Sequence, residues 1–124
     1  MNKLIKTIPS EKLSIEFLRS LNGLLGLTDR ELSILSTFLT IHLESTKNKK
    51  PKKAIDSTEN RKIVMEKENI TKDNLCRYIQ TFKSNKLMMN DQDGLLSINK
   101  ALIPIVIGNK TIQITMLLKL KEND

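Results

Sequence analysis

The sequence contains no tryptophan, one cysteine and one histidine among its 124 residues. A lone cysteine excludes a disulfide framework and any cysteine-based zinc cluster, and it fits a reducing compartment. Aromatic residues make up only 3% of the chain, so a core has to be built from leucine and isoleucine. No stretch approaches 18 uncharged apolar residues, which excludes a transmembrane helix. Met1 to Ser10 carries lysines but no apolar run of signal-peptide length. What is present is ordinary for a folded chain: 39% hydrophobic and 28% charged residues. A single domain over residues 1–124 with one modest core is the expectation.

The formal charge is +7, and its position matters more than its size. Residues 1–45 carry five basic and five acidic side chains, and residues 91–124 carry four of each. Residues 46–90 carry twelve basic against five acidic, so the whole excess lies there. A concentrated basic segment is what a polyanion-binding surface requires, because each neutralised phosphate releases counterions. The same composition also describes a solvated lysine linker. Lysine outnumbers arginine 17 to 4, and 15 isoleucines and 11 asparagines accompany it, a bias that an AT-rich genome also produces.

Leu13, Phe17, Leu18, Leu21, Leu24 and Leu25 recur at helical spacing and predict a helix over 10–25, with Ser10 as its N-cap. Thr28-Asp29-Arg30-Glu31 fits a capping box that opens a second helix. Its buried face is Leu32, Leu35, Phe38, Leu39 and His42, widened by Ile34 and Ile41, and it should end near Glu44. His42 reads as a packed or partly exposed helical residue, since no second histidine exists to make a metal site. Lys47-Asn48-Lys49-Lys50-Pro51-Lys52-Lys53 then breaks the helix, giving a lysine-rich loop over 46–56.

Asp56 or Ser57 starts the next helix, with Ile63 and Val64 in its body and Asn69 as its left-handed end. Thr71 caps another helix, whose buried stripe is Leu75, Ile79 and Phe82 with Tyr78 flanking and Asn85 as a left-handed terminator. Leu87-Met88-Met89 and Leu95-Leu96-Ser97-Ile98 flank Asn90-Asp91-Gln92-Asp93-Gly94, a hairpin pattern. In the tail, Ile103 to Ile107 reads as an edge strand interrupted by Pro104, and Gly108-Asn109-Lys110 as a turn. Ile112, Ile114, Met116, Leu118 and Leu120 alternate with Thr111, Gln113, Thr115, Leu117 and Lys119, which predicts a strand to residue 120.

Residues 57–98 thus read as helix, tight turn, helix and two-stranded hairpin, the order of a helix-turn-helix followed by a wing. The run Asn60 to Leu75 (NRKIVMEKENITKDNL) resembles the segment shared by winged-helix DNA-binding proteins, in which a helix ends on Gly or Asn and an apolar residue and Ser or Thr precede the recognition helix. Phe82-Lys83-Ser84-Asn85-Lys86-Leu87-Met88 resembles the passage from that helix into the wing. Leu96-Ser97-Ile98-Asn99-Lys100-Ala101-Leu102-Ile103-Pro104 is similar to the strand and following tail of phage and plasmid proteins, including replication initiators of the RepL type and MarR-like wing regions. The resemblance covers about half the chain and departs from the pattern twice. Glu68 stands where a leucine is usual, and Lys86 where glycine is common.

Setting Leu75, Ile79 and Phe82 inward turns Asp73, Arg77, Gln80 and Ser84 outward, with Asn74 and Thr81 beside them. Arginine suits guanine, asparagine and glutamine suit adenine, and hydroxyls suit phosphates or bases. The expected groove contacts are Lys72, Asn74, Arg77, Gln80, Thr81 and Ser84, with Lys83 and Lys86 on flanking phosphates. Lys47, Lys49, Lys50, Lys52 and Lys53 are expected either to track phosphates or to form a connector. Any amphipathic helix has a polar outer face, so this face reads equally as solvated surface.

Chemistry has little to stand on. Gly23-Leu24-Leu25-Gly26 lacks the Lys-Ser/Thr of a phosphate loop, and Cys76 and His42 have no orienting group. Aligning Gly94 with the glycine of a calcium loop puts Met89 and Lys100 where carboxylates belong. The expectation is therefore an α+β winged helix-turn-helix with an extra N-terminal helix over 10–25 and a C-terminal β-hairpin within 99–124. It implies a non-enzymatic, cytoplasmic protein of a bacterial or phage-infected cell that binds double-stranded DNA as a homo-oligomer, without membrane, metal or cofactor. The rival expectation is a structural or assembly protein, such as a phage virion component, that keeps the fold and oligomerises through its C-terminal strand.

Overall fold

A computed structural model describes residues 4–108 and 110–121. Over the described residues the fold is α+β, with four helices and two small antiparallel hairpins. A 3-10 turn at Ser10–Lys12 leads into α1 (Leu13–Leu25), followed by α2 (Asp29–Lys47), α3 (Thr58–Glu68) and α4 (Lys72–Ser84). The hairpin β1 (Met88–Asn90) and β2 (Leu96–Ile98) pairs Met88 with Ile98, Met89 with Ser97 and Asn90 with Leu96. After a 3-10 turn at Lys100–Leu102, β3 (Val106–Ile107) pairs with β4 (Thr111–Ile112).

The helix ends follow local chemistry. Thr28 Oγ1 accepts from the Glu31 N–H and Glu31 returns the bond to the Thr28 N–H, closing the expected capping box. Ser57 and Thr71 cap α3 and α4 through the N–H groups of Asn60 and Asn74. Asn69 ends α3 at φ 50°, with the Ile70 N–H bonded to the Met65 carbonyl. Ser10 does not act as an N-cap: Pro9 precedes the 3-10 turn without any side-chain cap, and α1 begins only at Leu13. Gly26, at φ 65°, ends α1.

Asn85 is not the left-handed residue after α4. It sits at φ −90°, and Lys86 takes φ 60° instead. The Leu87 N–H reaches the Phe82 carbonyl and the Lys86 N–H reaches Lys83, so the six-residue closure needs its left-handed member one position later. Lys86→Gly is expected to raise stability by about 0.5–1 kcal/mol, relief of the left-handed penalty outweighing glycine's greater unfolded-state freedom. Thermal unfolding of the variant beside the parent protein measures it.

α2 is the centre of the core. Leu32, Ile34, Leu35, Phe38, Leu39 and Ile41 are buried, since α1 packs on one side of it and α3 on another. Phe17, Leu18 and Leu21 of α1, Val64 of α3, and Leu75, Ile79 and Phe82 of α4 complete the interior with Met88 and Ile98 from the first hairpin. Leu24, expected on the apolar face of α1, is instead exposed, as is Ile63 of α3. α2 also continues past Glu44 to Lys47, so Lys47 is helical and the lysine-rich loop starts at Asn48. Ile55, buried near the loop's far end, donates its N–H to the Leu96 carbonyl at 2.8 Å and fixes the segment beside β2.

Glu68 occupies its unusual place for a visible reason. Its carboxylate accepts from the Ser33 hydroxyl, while Arg30 reaches its backbone carbonyl at 2.6 Å. A polar clamp thus joins α2 to the end of α3.

The predicted C-terminal strand to residue 120 does not form at that length. Among the described residues strand structure after Gly108 is limited to Thr111–Ile112, and Asn109 lies outside them. Ile112 and Ile114 pack partly against the core, whereas Met116, Leu117, Leu118 and Leu120 are exposed. The alternation holds, but β3 is only two residues long and gives residues 113–120 nothing to pair with.

Candidate nucleic-acid interface

α4 carries the polar face expected of it. Leu75, Ile79 and Phe82 are buried, and the Tyr78 ring lies 6.4 Å from that of Phe82. Lys72, Asp73, Asn74, Arg77, Gln80, Lys83 and Ser84 are exposed, with Lys86 just beyond the helix, while Thr81 is half-buried and donates its hydroxyl to the Arg77 carbonyl at 3.1 Å. Asn74, Arg77 and Thr81 share one groove of about 440 Å³ with Arg30, Thr71 and Tyr78. Arg30 and Tyr78 were not among the expected contacts. Arg30 lies 47 positions before Arg77, and no local spacing signals that proximity.

The arginines differ in what they are free to do. Arg19 pairs with Glu16, and Arg30 is held at Glu68. Arg61 turns inward: its guanidinium bonds the Asp56 carbonyl, the Asp56 carboxylate and the Cys76 sulfur, tying α3 to α4. Burial works against its charge, yet the hydrogen bonds to Cys76 and Asp56 hold its pKa above the ordinary arginine value. Arg77 is the one arginine whose side chain has no partner among the described residues.

The five lysines of the loop region also separate. Lys53 pairs with Glu59, whose carboxyl is thereby held below its ordinary pKa. Lys52 Nζ bridges Asp93 at 2.8 Å and Asp91 at 3.0 Å in the turn between β1 and β2, and both contacts raise its pKa. Lys47, Lys49 and Lys50 have no ion pair among the described residues. Lys50, Lys52 and Lys53 border a second hollow with Ile41, Glu59 and Ile63, and no α4 residue lines it. The structure therefore does not gather the loop lysines and the α4 face into one groove.

Asp91 organises its turn. Its Oδ1 accepts from the N–H groups of Asp93 and Leu95 at 2.8 and 3.1 Å, and Gly94 supplies the φ of 78° that the turn requires. Lys52 above all, then those two N–H groups, hold the Asp91 carboxyl below the usual carboxylate range. A carboxyl depressed in the folded state stabilises it above the unfolded pKa, and that contribution is lost as pH falls through the folded value. Acidification below about pH 4 is expected to loosen the turn. The Leu95 amide shift, followed by NMR, should titrate in the parent protein and stay flat in Asp91→Asn.

His42 is half-buried on α2, and burial pushes its pKa down. Among the described residues no group of three or more His, Cys, Asp or Glu side chains is placed to hold a metal ion, and no helix is long and apolar enough to cross a membrane. No family model, no curated protein and no solved structure matches the chain.

Proposed function

We propose that this chain is a non-enzymatic double-stranded DNA-binding protein of the winged-helix kind, acting as a transcriptional regulator or a replication accessory. The carrying observation is Arg77, an exposed and unpaired guanidinium midway along the polar face of α4. Three features of the fold support the reading. The α3–α4 connection is tight, from left-handed Asn69 to the Thr71 cap. A hairpin follows α4 directly. Ile55 bonds to Leu96 beside that hairpin, as a short third strand would.

In this reading α4 enters the major groove, with Arg77, Asn74 and Gln80 offered to base edges and Lys72, Lys83, Lys86, Thr81 and Ser84 to bases or backbone. Lys47, Lys49 and Lys50 supply attraction to phosphates, while Lys52 and Lys53 first have to leave their carboxylates. The hairpin turn carries Asp91 and Asp93, so it stands away from phosphates. Titrating the protein into labelled duplex DNA across a salt series tests the proposal: binding that weakens steeply with salt is expected. Absence of binding at low salt overturns it.

The exposed apolar residues Met116, Leu117, Leu118 and Leu120 favour a second reading, a structural or assembly protein such as a virion component. A large ring, or a particle without DNA affinity, distinguishes that case.

A further inference from the structure

Residues 112–120 pose a definite problem of pairing. The even-numbered face, Ile112, Ile114, Met116, Leu118 and Leu120, is apolar, and its first two members already pack against the core. The last three stand exposed at 46%, 79% and 90%, because the chain continues past the two-residue β3 that β4 pairs with. Among the described residues β4 has a neighbour on one side only.

We propose that this segment pairs antiparallel with the same segment of a second copy, about a two-fold axis through Met116. In that register Ile112 faces Leu120, Gln113 faces Lys119, Ile114 faces Leu118, Thr115 faces Leu117 and Met116 faces its own equivalent. Every apolar residue of the even face meets an apolar residue, and no lysine meets a lysine. Shifting by one position sets Ile112 against Lys119, and a parallel in-register pairing sets Lys119 against Lys119; both are unfavourable. The segment is self-complementary, which is the condition for an isologous interface. Residues 111–121 hold no acidic side chain, so the segment carries no acidic group with which to match a basic partner. Pairing also brings Leu118 and Leu120 of one copy alongside Ile114 and Ile112 of the other, the two residues already seated on the core. β3 and β4 of both copies then form one four-stranded sheet, long enough to be stable where an isolated hairpin is not.

This inference is independent of DNA binding and is tested without nucleic acid. Light scattering of the full chain should give a dimer. Leu118→Lys with Leu120→Lys, both at exposed positions, should raise its dissociation constant at least about tenfold, since burying one leucine alone is worth that much. In a Cys76→Ser background, Met116→Cys should form an intermolecular disulfide rapidly. Lys121→Cys should not, because two copies of that position lie roughly 30 Å apart at about 3.3 Å per residue. A monomer at all concentrations overturns the proposal. So does a dimer that tolerates both lysines and cross-links no faster at 116 than at 121.

Discussion

Replacing Phe82 by alanine is expected to remove about 3–5 kcal/mol of stability, the cost of emptying a large fully enclosed aromatic site. Phe82 is completely buried on α4, beside Ile79 and against the first hairpin. A domain of this size has roughly 5–15 kcal/mol in total, so the variant should sit close to its unfolding threshold. Its melting temperature should fall by roughly 10–20 °C, at about 4 °C per kcal/mol for a chain of this length. Among the described residues only one other large aromatic side chain, Phe38, is as fully enclosed. A loss below about 1 kcal/mol would mean that α4 does not pack as described, and the outward direction of Arg77 would fall with it. Calorimetry of the purified variant decides this without any assumption about function.

The second large effect concerns charge. If α4 and the loop lysines meet DNA, Arg77→Ala and a triple Lys47, Lys49 and Lys50→Ala change should fail in different ways. Arg77→Ala is expected to weaken a preferred site by about 1–3 kcal/mol and to relax discrimination there. The triple lysine change should weaken all duplexes similarly and reduce the slope of log affinity against log salt by about 2.7, at about 0.9 per phosphate contact. Lys52→Ala belongs to neither class, because Lys52 already holds Asp91 and Asp93; its removal should disturb the hairpin turn more than the DNA. Equal and parallel effects of all these changes would mean that the segment acts as diffuse charge with no reading face.

What the sequence discloses here is what is local. The Thr28–Glu31 box and the passage from Asn69 through Thr71 into α4 depend on residues three or four apart, and they are legible for that reason. So is the outward direction of Arg77, which follows from helical period alone. The end of α4 falls where the pattern puts it, but the left-handed residue stands one position later than Asn85, the better left-handed former in isolation. The six-residue closure to Phe82 instead puts the strain on Lys86. Glu68 could only look like a misfit, since the groups that satisfy it, Ser33 and Arg30, lie 35 and 38 positions earlier. Arg61 reads as a basic residue of a basic segment until Asp56 and Cys76 are seen to hold it. The tail shows the reverse limit: a period of two states which face is apolar and says nothing about whether a neighbouring strand exists.

The hydrogen bond from Ile55 to Leu96 has one further consequence, for how the loop's charge is presented. Between the end of α2 at Lys47 and the anchored Ile55 the chain is tied at both ends, since the Lys49 N–H bonds the Thr46 carbonyl and the Lys50 N–H bonds the Ser45 carbonyl at 3.0 Å. Lys49 and Lys50 are therefore confined to a small volume beside the domain and do not sweep the solvent as they would on an open tail. Their local concentration near any bound polyanion is set by the fold. A few glycine and serine residues inserted after Lys50 would cost the domain little, because loop closure grows only slowly with length, yet they would dilute that concentration. Loop length here sets how strongly the lysines act together, separately from how many there are.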